Sequence, residues 1–193
     1  MCLGASTGGV DALIEVLTSL SALKAPVLVV QHTGNAHFEG LIRTLELHSP
    51  LPVLPGLCGR VIEDGKVYVA CDGSSHMVLS RQAPLRIEQC PSEPVTWHRP
   101  SIDMLFHSAA AFGKMAVGCL LTGMGRDGAT GLLAMRKAGA FTIVQDAETS
   151  VVYGMPKVAF EIGAASKQLA LSKIGPEIVN FVNDKTALVG VTK

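Results

Sequence analysis

Residues 1–32 read MCLGASTGGVDALIEVLTSLSALKAPVLVVQH, and the fold is decided by how this stretch is parsed. Met1 to Gly4 has the character of the end of a strand. A loop of small residues follows at Ala5 to Gly9. Asp11 is then placed to cap a helix whose apolar positions, Leu13, Ile14, Leu17 and Leu20, fall on one helical face. Pro26 opens Val27-Leu28-Val29-Val30, a continuous apolar run of the kind found in strands buried on both faces of a parallel sheet.

The same alternation runs outward from this stretch. Phe38 to Leu47 is amphipathic, with Phe38, Leu41, Ile42 and Leu45 on one side. Between Leu51 and Cys90 come three short β-rich runs, Lys66–Ala70, Met77–Ser80 and Leu85–Gln89. Asp64-Gly65, Asp72-Gly73 and Pro84 punctuate them, which predicts hairpins. Pro100 suits the first turn of a helix running to about Phe112. Ala116–Leu121 reads as a buried strand, Thr130–Ala138 as a helix and Phe141–Gln145 as a strand. Helices at Pro156–Ile162 and Pro176–Asn183 complete the pattern. No internal repeat, low-complexity tract or linker interrupts it. The expectation is one domain over residues 1–193, of α/β class. It is a three-layer α/β/α doubly wound fold with a mainly parallel sheet and an antiparallel hairpin insertion.

Composition narrows the function classes. Of 193 residues, 48% are hydrophobic and 17% charged, which is enough apolar material for a buried core and too much for a disordered chain. Formal net charge is zero. No long basic stripe is present, so nucleic acid is not an expected partner. The nearest basic grouping, Arg81 to Arg86, reads as solvated hairpin surface. No apolar run reaches the roughly 18 residues needed to span a bilayer. Met1 to Gly9 has neither a basic segment nor an apolar core of the kind a signal peptide carries. The five cysteines, Cys2, Cys58, Cys71, Cys90 and Cys119, show no C-x-x-C spacing. That pattern fits reduced thiols in the cytoplasm better than a disulfide frame or a zinc site. Cys119, inside the apolar run Ala116–Leu121, reads as a buried structural thiol.

Ligands of doubly wound sheets bind beyond the carboxyl ends of the strands, where strand order reverses. Three reactive residue types fall in loops at that edge. Ser6 follows the first strand, His32 the second, and Asp127 the strand at Ala116–Leu121. A serine hydroxyl needs a base within hydrogen-bond reach, and the base needs a carboxylate to fix its tautomer and stabilise the cation. Small neighbours in Gly4-Ala5-Ser6-Thr7-Gly8-Gly9 leave the Ser6 oxygen accessible. The glycines and the helix start can direct backbone N–H groups at a developing oxyanion. Taken alone, such a serine also fits a helix cap or a phosphate loop. A nucleotide-binding fold is the main rival reading. Against it, the G-x-G-x-x-G spacing is absent, no Walker lysine follows the glycines, and the second strand ends in Gln31-His32 rather than an acid. For Asp127 the competing role is an N-cap of the helix that follows it. The glycines around Met124 let backbone approach a substrate closely. His37, His48, His76, His98 and His107 show no ligand spacing, so no metal site is expected. His98, beside Arg99-Pro100, is the one kept as a cleft residue.

These segments resemble a known family. Gly4-Ala5-Ser6-Thr7-Gly8-Gly9, Val30-Gln31-His32, His98-Arg99-Pro100-Ser101-Ile102-Asp103-Met104-Leu105-Phe106 and Leu121-Thr122-Gly123-Met124-Gly125-Arg126-Asp127-Gly128 are similar to motifs of the chemotaxis protein-glutamate methylesterases of CheB type. Gly154-Met155-Pro156 and Gly163-Ala164-Ala165 extend the match. The resemblance implies a doubly wound parallel sheet with helices on both faces. It implies hydrolysis of glutamate γ-methyl esters on the signalling helices of methyl-accepting chemoreceptors, with deamidation of particular glutamines in many members. The family's catalytic serine, histidine and aspartate map onto Ser6, His32 and Asp127, and its oxyanion donor onto the Met124 backbone N–H. The Thr7 N–H is added as a second donor. Neither a metal nor an organic cofactor is implied.

Two departures stand out. Thr33-Gly34-Asn35-Ala36-His37-Phe38 replaces the Met and Pro-Pro-Gly-Phe stretch that often follows the histidine, which touches the substrate-cleft wall. The receiver domain and linker that family members usually carry before the catalytic half have no counterpart here. With only Met1-Cys2-Leu3 before the Gly4 loop, a short first strand is expected, leaving part of its neighbour's ladder unpaired. Either the chain is cut from a longer protein or a standalone form tolerates a truncated strand; in both cases the expectation is a catalytic domain without its regulatory partner, active without phosphorylation, with an open and partly apolar surface beside Ser6. A binding module without turnover would predict a damaged triad, and all three residues are present.

Overall fold

A computed structural model of the chain describes residues 1–33 and 37–190, the side chains of 185–190 excepted. Gly34, Asn35 and Ala36, part of the departure noted above, lie outside the described residues. In chain order the elements are β1 (Cys2–Ala5), α1 (Gly9–Thr18), β2 (Val27–Gln31), α2 (Phe38–His48), β3 (Val53–Pro55), β4 (Val67–Val69), β5 (His76–Leu79), β6 (Ile87–Cys90), α3 (Ile102–Ala109), β7 (Val117–Leu120), α4 (Ala129–Lys137), β8 (Phe141–Gln145), α5 (Met155–Glu161), β9 (Lys167–Leu169) and α6 (Leu171–Gly190). A 3₁₀ turn at Ala110–Met115 links α3 to β7.

Seven strands form one sheet in the order β3-β4-β2-β1-β7-β8-β9, and every neighbouring pair is parallel. β5 and β6 form a separate antiparallel hairpin. The chain builds outward from β1 in one direction through β2, then returns to add β7 on the other side of it. The crevice therefore opens at the carboxyl ends of the central strands.

Strand side chains alternate between two apolar layers. Leu3, Ala5, Val27, Val29, Val67, Val69, Cys119 and Ile143 pack with Leu13, Leu17, Leu45, Ile174 and Ile178 from α1, α2 and α6. Cys2, Leu28, Val30, Tyr68, Leu120 and Val144 pack with Ile102, Phe106, Leu132, Met155 and Ile87 from α3, α4, α5 and the hairpin. Each fully buried side chain of this size contributes about 1.5–3 kcal/mol. This is the doubly wound α/β/α architecture expected, with the antiparallel insertion in place.

Several local expectations are corrected. β1 runs through Gly4 to Ala5 and is paired on both sides, Cys2–Ala5 with Leu28–Gln31 and Cys2–Gly4 with Gly118–Leu120. It leaves no ladder open. Gly4 is paired within the strand on both sides, and α3 packs so closely on it that a Cβ there would clash with Ile102 Cγ2. Asp11 does not cap α1; it lies in the first turn, where its charge suits the helix dipole, and the N-cap is Gly8 at φ 74°. A side chain on Gly8 would also meet Val151 at 2.5 Å. Lys66–Ala70 is not a hairpin strand: Val67, Tyr68 and Val69 are all buried and join the parallel sheet beside β2. The helix placed from Pro100 has Ser101 as its N-cap and stays α-helical only to Ala109. The last helix is longer than Pro176–Asn183, starting at Leu171. β3 and β9 were not expected.

All five cysteines are free. Cys119 is fully buried, and burial pushes its thiol far above the ordinary value, so it is inert packing. No described helix is long and apolar enough to cross a membrane.

Candidate active site

Parallel pairing brings Ser6 and His32 to one edge. Ala5 faces Gln31 across the β1–β2 ladder, and the His32 amide continues it by donating to Ala5 O at 3.0 Å. Ser6 and His32 are thus the first residues beyond two neighbouring strand ends. The Ser6 amide donates to Thr122 O at 3.0 Å, which pins the serine to the loop after β7. That loop packs closely: a Cβ on Gly123 would lie 2.6 Å from Ser6 Cβ. The Gln31 side chain braces the same corner, its Nε2 donating to Ser6 O at 2.8 Å and to His32 O at 2.9 Å. Its Oε1 is buried with no partner among the described residues, a cost that marks the brace as constrained.

His32 Nε2 lies 2.8 Å from Asp127 Oδ2, with the two side chains 7% and 1% exposed. Asp127 is ringed by donors. Ser101 Oγ and the Asp103 amide donate to Oδ1 at 2.7 and 3.2 Å, and the Ile102 amide donates to Oδ2 at 2.7 Å. Burial alone pushes the carboxyl up; the donors from His32, Ser101 and Ile102 outweigh it and hold it below the usual carboxylate range. Asp127 is therefore an anion at neutral pH. The cap reading is corrected in its target. α4, which follows Asp127, is capped by Gly128 at φ 88°, and Asp127 sits on the N-terminus of α3 instead.

An ionised Asp127 makes His32 Nε2 the protonated nitrogen, leaving the Nδ1 lone pair free. His32 Nδ1 is buried and has no hydrogen-bond partner among the described residues. An imidazole in this state can take a proton from a nearby hydroxyl. Around it, the Thr7 and Met124 amides donate to no other described group. Both lie in exposed loops beside Ser6, and α1 directs its positive end into the same corner. Among the described residues no cluster of three or more His, Cys, Asp or Glu is arranged to hold a metal ion.

The structure thus brings His32 and Asp127 into contact, with Ser6 and Thr7 following the neighbouring strand and Met124 in the adjoining loop after β7; it does not join Ser6 to His32 by a hydrogen bond. A family model described as CheB methylesterase matches residues 1–178. The chain belongs to the CheB methylesterase family. Among its relatives in that family is the protein-glutamate methylesterase/protein-glutamine glutaminase 1 of Caulobacter vibrioides. The two are 45% identical over 184 residues, which is 95% of this chain and 54% of that protein. The protein-glutamate methylesterase/protein-glutamine glutaminase of Gluconobacter oxydans is 46% identical over 183 residues, or 93% of this chain and 52% of that protein. The chain spans about half the length of the curated relatives it matches. The crystal structure of the Thermotoga maritima CheB methylesterase catalytic domain superposes with a TM-score of 0.90 at 32% identity. That match covers 94% of this chain and 97% of that one.

Three functional neighbours escaped the sequence reading of this CheB-family chain. Ser101 orients Asp127; the signal was a serine directly before an apolar helical run, the usual N-cap pattern. Gln31 was noticed only as a non-acidic strand end. His76 is fully buried, takes the Ser101 amide on Nδ1 at 3.0 Å and donates from Nε2 to Glu93 O at 3.1 Å. It fixes the start of α3, and nothing local in the sequence marks it.

Proposed function

We propose that this chain is a serine hydrolase that removes methyl groups from glutamate γ-methyl esters on chemoreceptor signalling helices and deamidates glutamines there. Ser6 is the nucleophile, His32 the base and Asp127 the orienting carboxylate. The observation that carries the reading is the buried His32, with Nε2 on an anionic Asp127 and Nδ1 unpaired, at the strand end next to that of Ser6. Membership of the CheB family and the names of the relatives support the substrate class.

Ser6 Oγ attacks the γ-carbonyl carbon while its proton moves to His32 Nδ1. The Thr7 and Met124 N–H groups meet the oxyanion. Collapse breaks the ester C–O bond, and His32 returns the proton to the departing methoxide, releasing methanol. Water then attacks the acyl-enzyme with His32 again as base, giving the free glutamate and restoring Ser6. A glutamine amide follows the same steps and releases ammonia. Each step needs only groups on this chain, so no metal or organic cofactor enters the scheme.

The rim favours a protein substrate over a small ester. Trp97, next in the chain to the His98 that stacks on His32, is 96% exposed; Met124, in the loop after β7, is 72% exposed, and Val151, which lies against Gly8, is 70% exposed. Large exposed apolar side chains on segments next to the site suit the face of a helix. The free cysteines support a cytoplasmic location. We also hold residues 1–193 to be a methylesterase catalytic domain.

The test is Ser6→Ala. It removes one hydroxyl from a loop and leaves the core packing intact, so the variant melts with the parent. Methanol release from a methylated receptor fragment falls by several orders of magnitude, and labelling by a fluorophosphonate is lost. Near-parental turnover in Ser6→Ala removes Ser6 as nucleophile. Failure of the parent to label favours a binding module instead.

A further inference from the structure

A second histidine ring lies flat on the candidate base. The His32 and His98 centroids are 3.5 Å apart and the rings are 8° from parallel. His98 comes from a different part of the chain, the short link between the β5–β6 hairpin and α3. The link is held open toward the site at a local cost. Val95 and His98 exchange both backbone hydrogen bonds, at 3.1 and 2.9 Å. The two residues between them, Thr96 and Trp97, have φ of 48° and 70°. Side-chain-bearing residues in this left-handed region are strained and persist where surrounding structure enforces them. Arg99, next in the chain, anchors the link from the other side, donating to Gly73 O at 3.0 Å and Ser92 O at 3.2 Å.

His32 needs such a neighbour. Among the described residues its side chain has a single hydrogen bond, to Asp127. One bond alone leaves the ring plane free to tilt about the Nε2–Oδ2 direction, so packing must set it. A flat ring packed on one face removes that freedom. We propose that His98 is a positioning residue for the hydrolysis, a neutral stacking plate that holds the His32 ring in its working plane and accepts the imidazolium formed there against its π face. The inference rests on the reading of Ser6, His32 and Asp127 given above.

The charges that face His98 fit a neutral plate. They are His32, in the stack, and Asp127, behind it. Arg99 turns its guanidinium away to the two carbonyls. Burial lowers the affinity of His98 for a proton, the neighbouring His32 lowers it further, and Asp127 opposes both; the net shift is below the ordinary histidine value. At neutral pH the plate is uncharged. On acidification it becomes a cation stacked on the base, which then cannot accept its own positive charge.

The experiment compares wild type, His98→Ala and His98→Phe on a methylated receptor fragment, with thermal melts and Ser6→Ala in parallel. His98→Ala lowers kcat by at least about tenfold with KM within about twofold. His98→Phe, which keeps a flat ring, recovers kcat to within about threefold of wild type. Two protonations inactivate the wild type, so the acid limb of log kcat steepens beyond one proton at low pH; in His98→Phe it stays at one. Parental kcat in His98→Ala, equal losses in both variants, or identical acid limbs in wild type and His98→Phe each overturn the proposal. Should His98→Ala melt early, the acid limb of His98→Phe decides alone. Undiminished methanol release by Ser6→Ala sinks the site assignment itself. A dead Ser6→Ala beside parental His98 variants sinks only the role of His98.

Discussion

Asp127 performs two tasks with one carboxylate. It accepts from His32, and it accepts from the Ser101 hydroxyl and the first amides of α3. The two tasks separate in Asp127→Asn. The amide keeps one acceptor oxygen but presents N–H groups where donors already point, and it cannot balance an imidazolium. The rate of methanol release is expected to fall on the order of a thousandfold or more. Stability falls by about 1–2 kcal/mol, as when a good cap is lost, read from urea unfolding. Because the folded carboxyl is depressed, its stabilising contribution is present above the ordinary carboxylate value and is lost as pH falls through the folded value. Wild type and Asp127→Asn therefore converge in stability on acidification. A variant that loses stability but keeps its rate shows that capping is the whole role. At this scale the sequence placed Ser6 and His32 directly after neighbouring strands, where they lie, because a parallel ladder sets strand ends side by side. It was silent on Gln31 and His76, whose partners are 25 residues away in the chain.

Among the elements, the long apolar ones were legible and the short edge ones were not. Val27–Gln31 is buried along its whole length and reads so. β3 and β9 have three residues each, β9 is mostly exposed, and neither presents a period long enough to detect. β4 was misassigned because the Asp-Gly pairs around it are real turn signals, and the parallel partner that claims Val67–Val69 is distant in sequence. The Val95–His98 turn shows the reverse case, where local chemistry and structure disagree. Two-residue loops with both central residues left-handed favour Asn-Gly, and this one holds Thr96 and Trp97. Replacing the pair with Asn-Gly relieves the strain, so the double variant is expected to gain about 1 kcal/mol of stability. It also deletes the exposed Trp97 from the rim, so KM for a receptor fragment rises several-fold. Thermal melts and steady-state kinetics on the same preparation check both. Lower stability in the Asn-Gly variant means that Trp97 packs on something that offsets its backbone strain.

Across the whole molecule, the site lies where β1, β2 and β7 end, and α3 and α4 hold it by exchanging carboxylates. Asp127, just before α4, receives the first amides of α3. Asp103, in α3, receives the Gly131 amide in the first turn of α4. The two helices are thereby tied together beneath the loop that carries Asp127, and the affinities of the two acids for a proton are shifted in opposite directions. Burial pushes the Asp103 carboxyl up, the nearby Asp127 charge adds to that, and the Gly131 amide only partly opposes it. For an acid whose folded value is raised, ionisation costs stability. That cost is absent below the unfolded value, grows as pH rises, and is complete above the folded value. Asp103→Asn cannot ionise and so never incurs it. The stability of Asp103→Asn relative to wild type is thus expected to improve as pH rises from the ordinary carboxylate value through the raised folded value, and then to level off. Asp127→Asn worsens relative to wild type at lower pH, between the depressed folded value of Asp127 and the ordinary carboxylate value, and stays level above it. Urea unfolding of the three proteins at a series of pH values reads both slopes. Parallel curves for wild type and Asp103→Asn would mean that Asp103 titrates alike in the folded and unfolded chains, and that the α3–α4 exchange holds one strained carboxylate rather than two opposed ones.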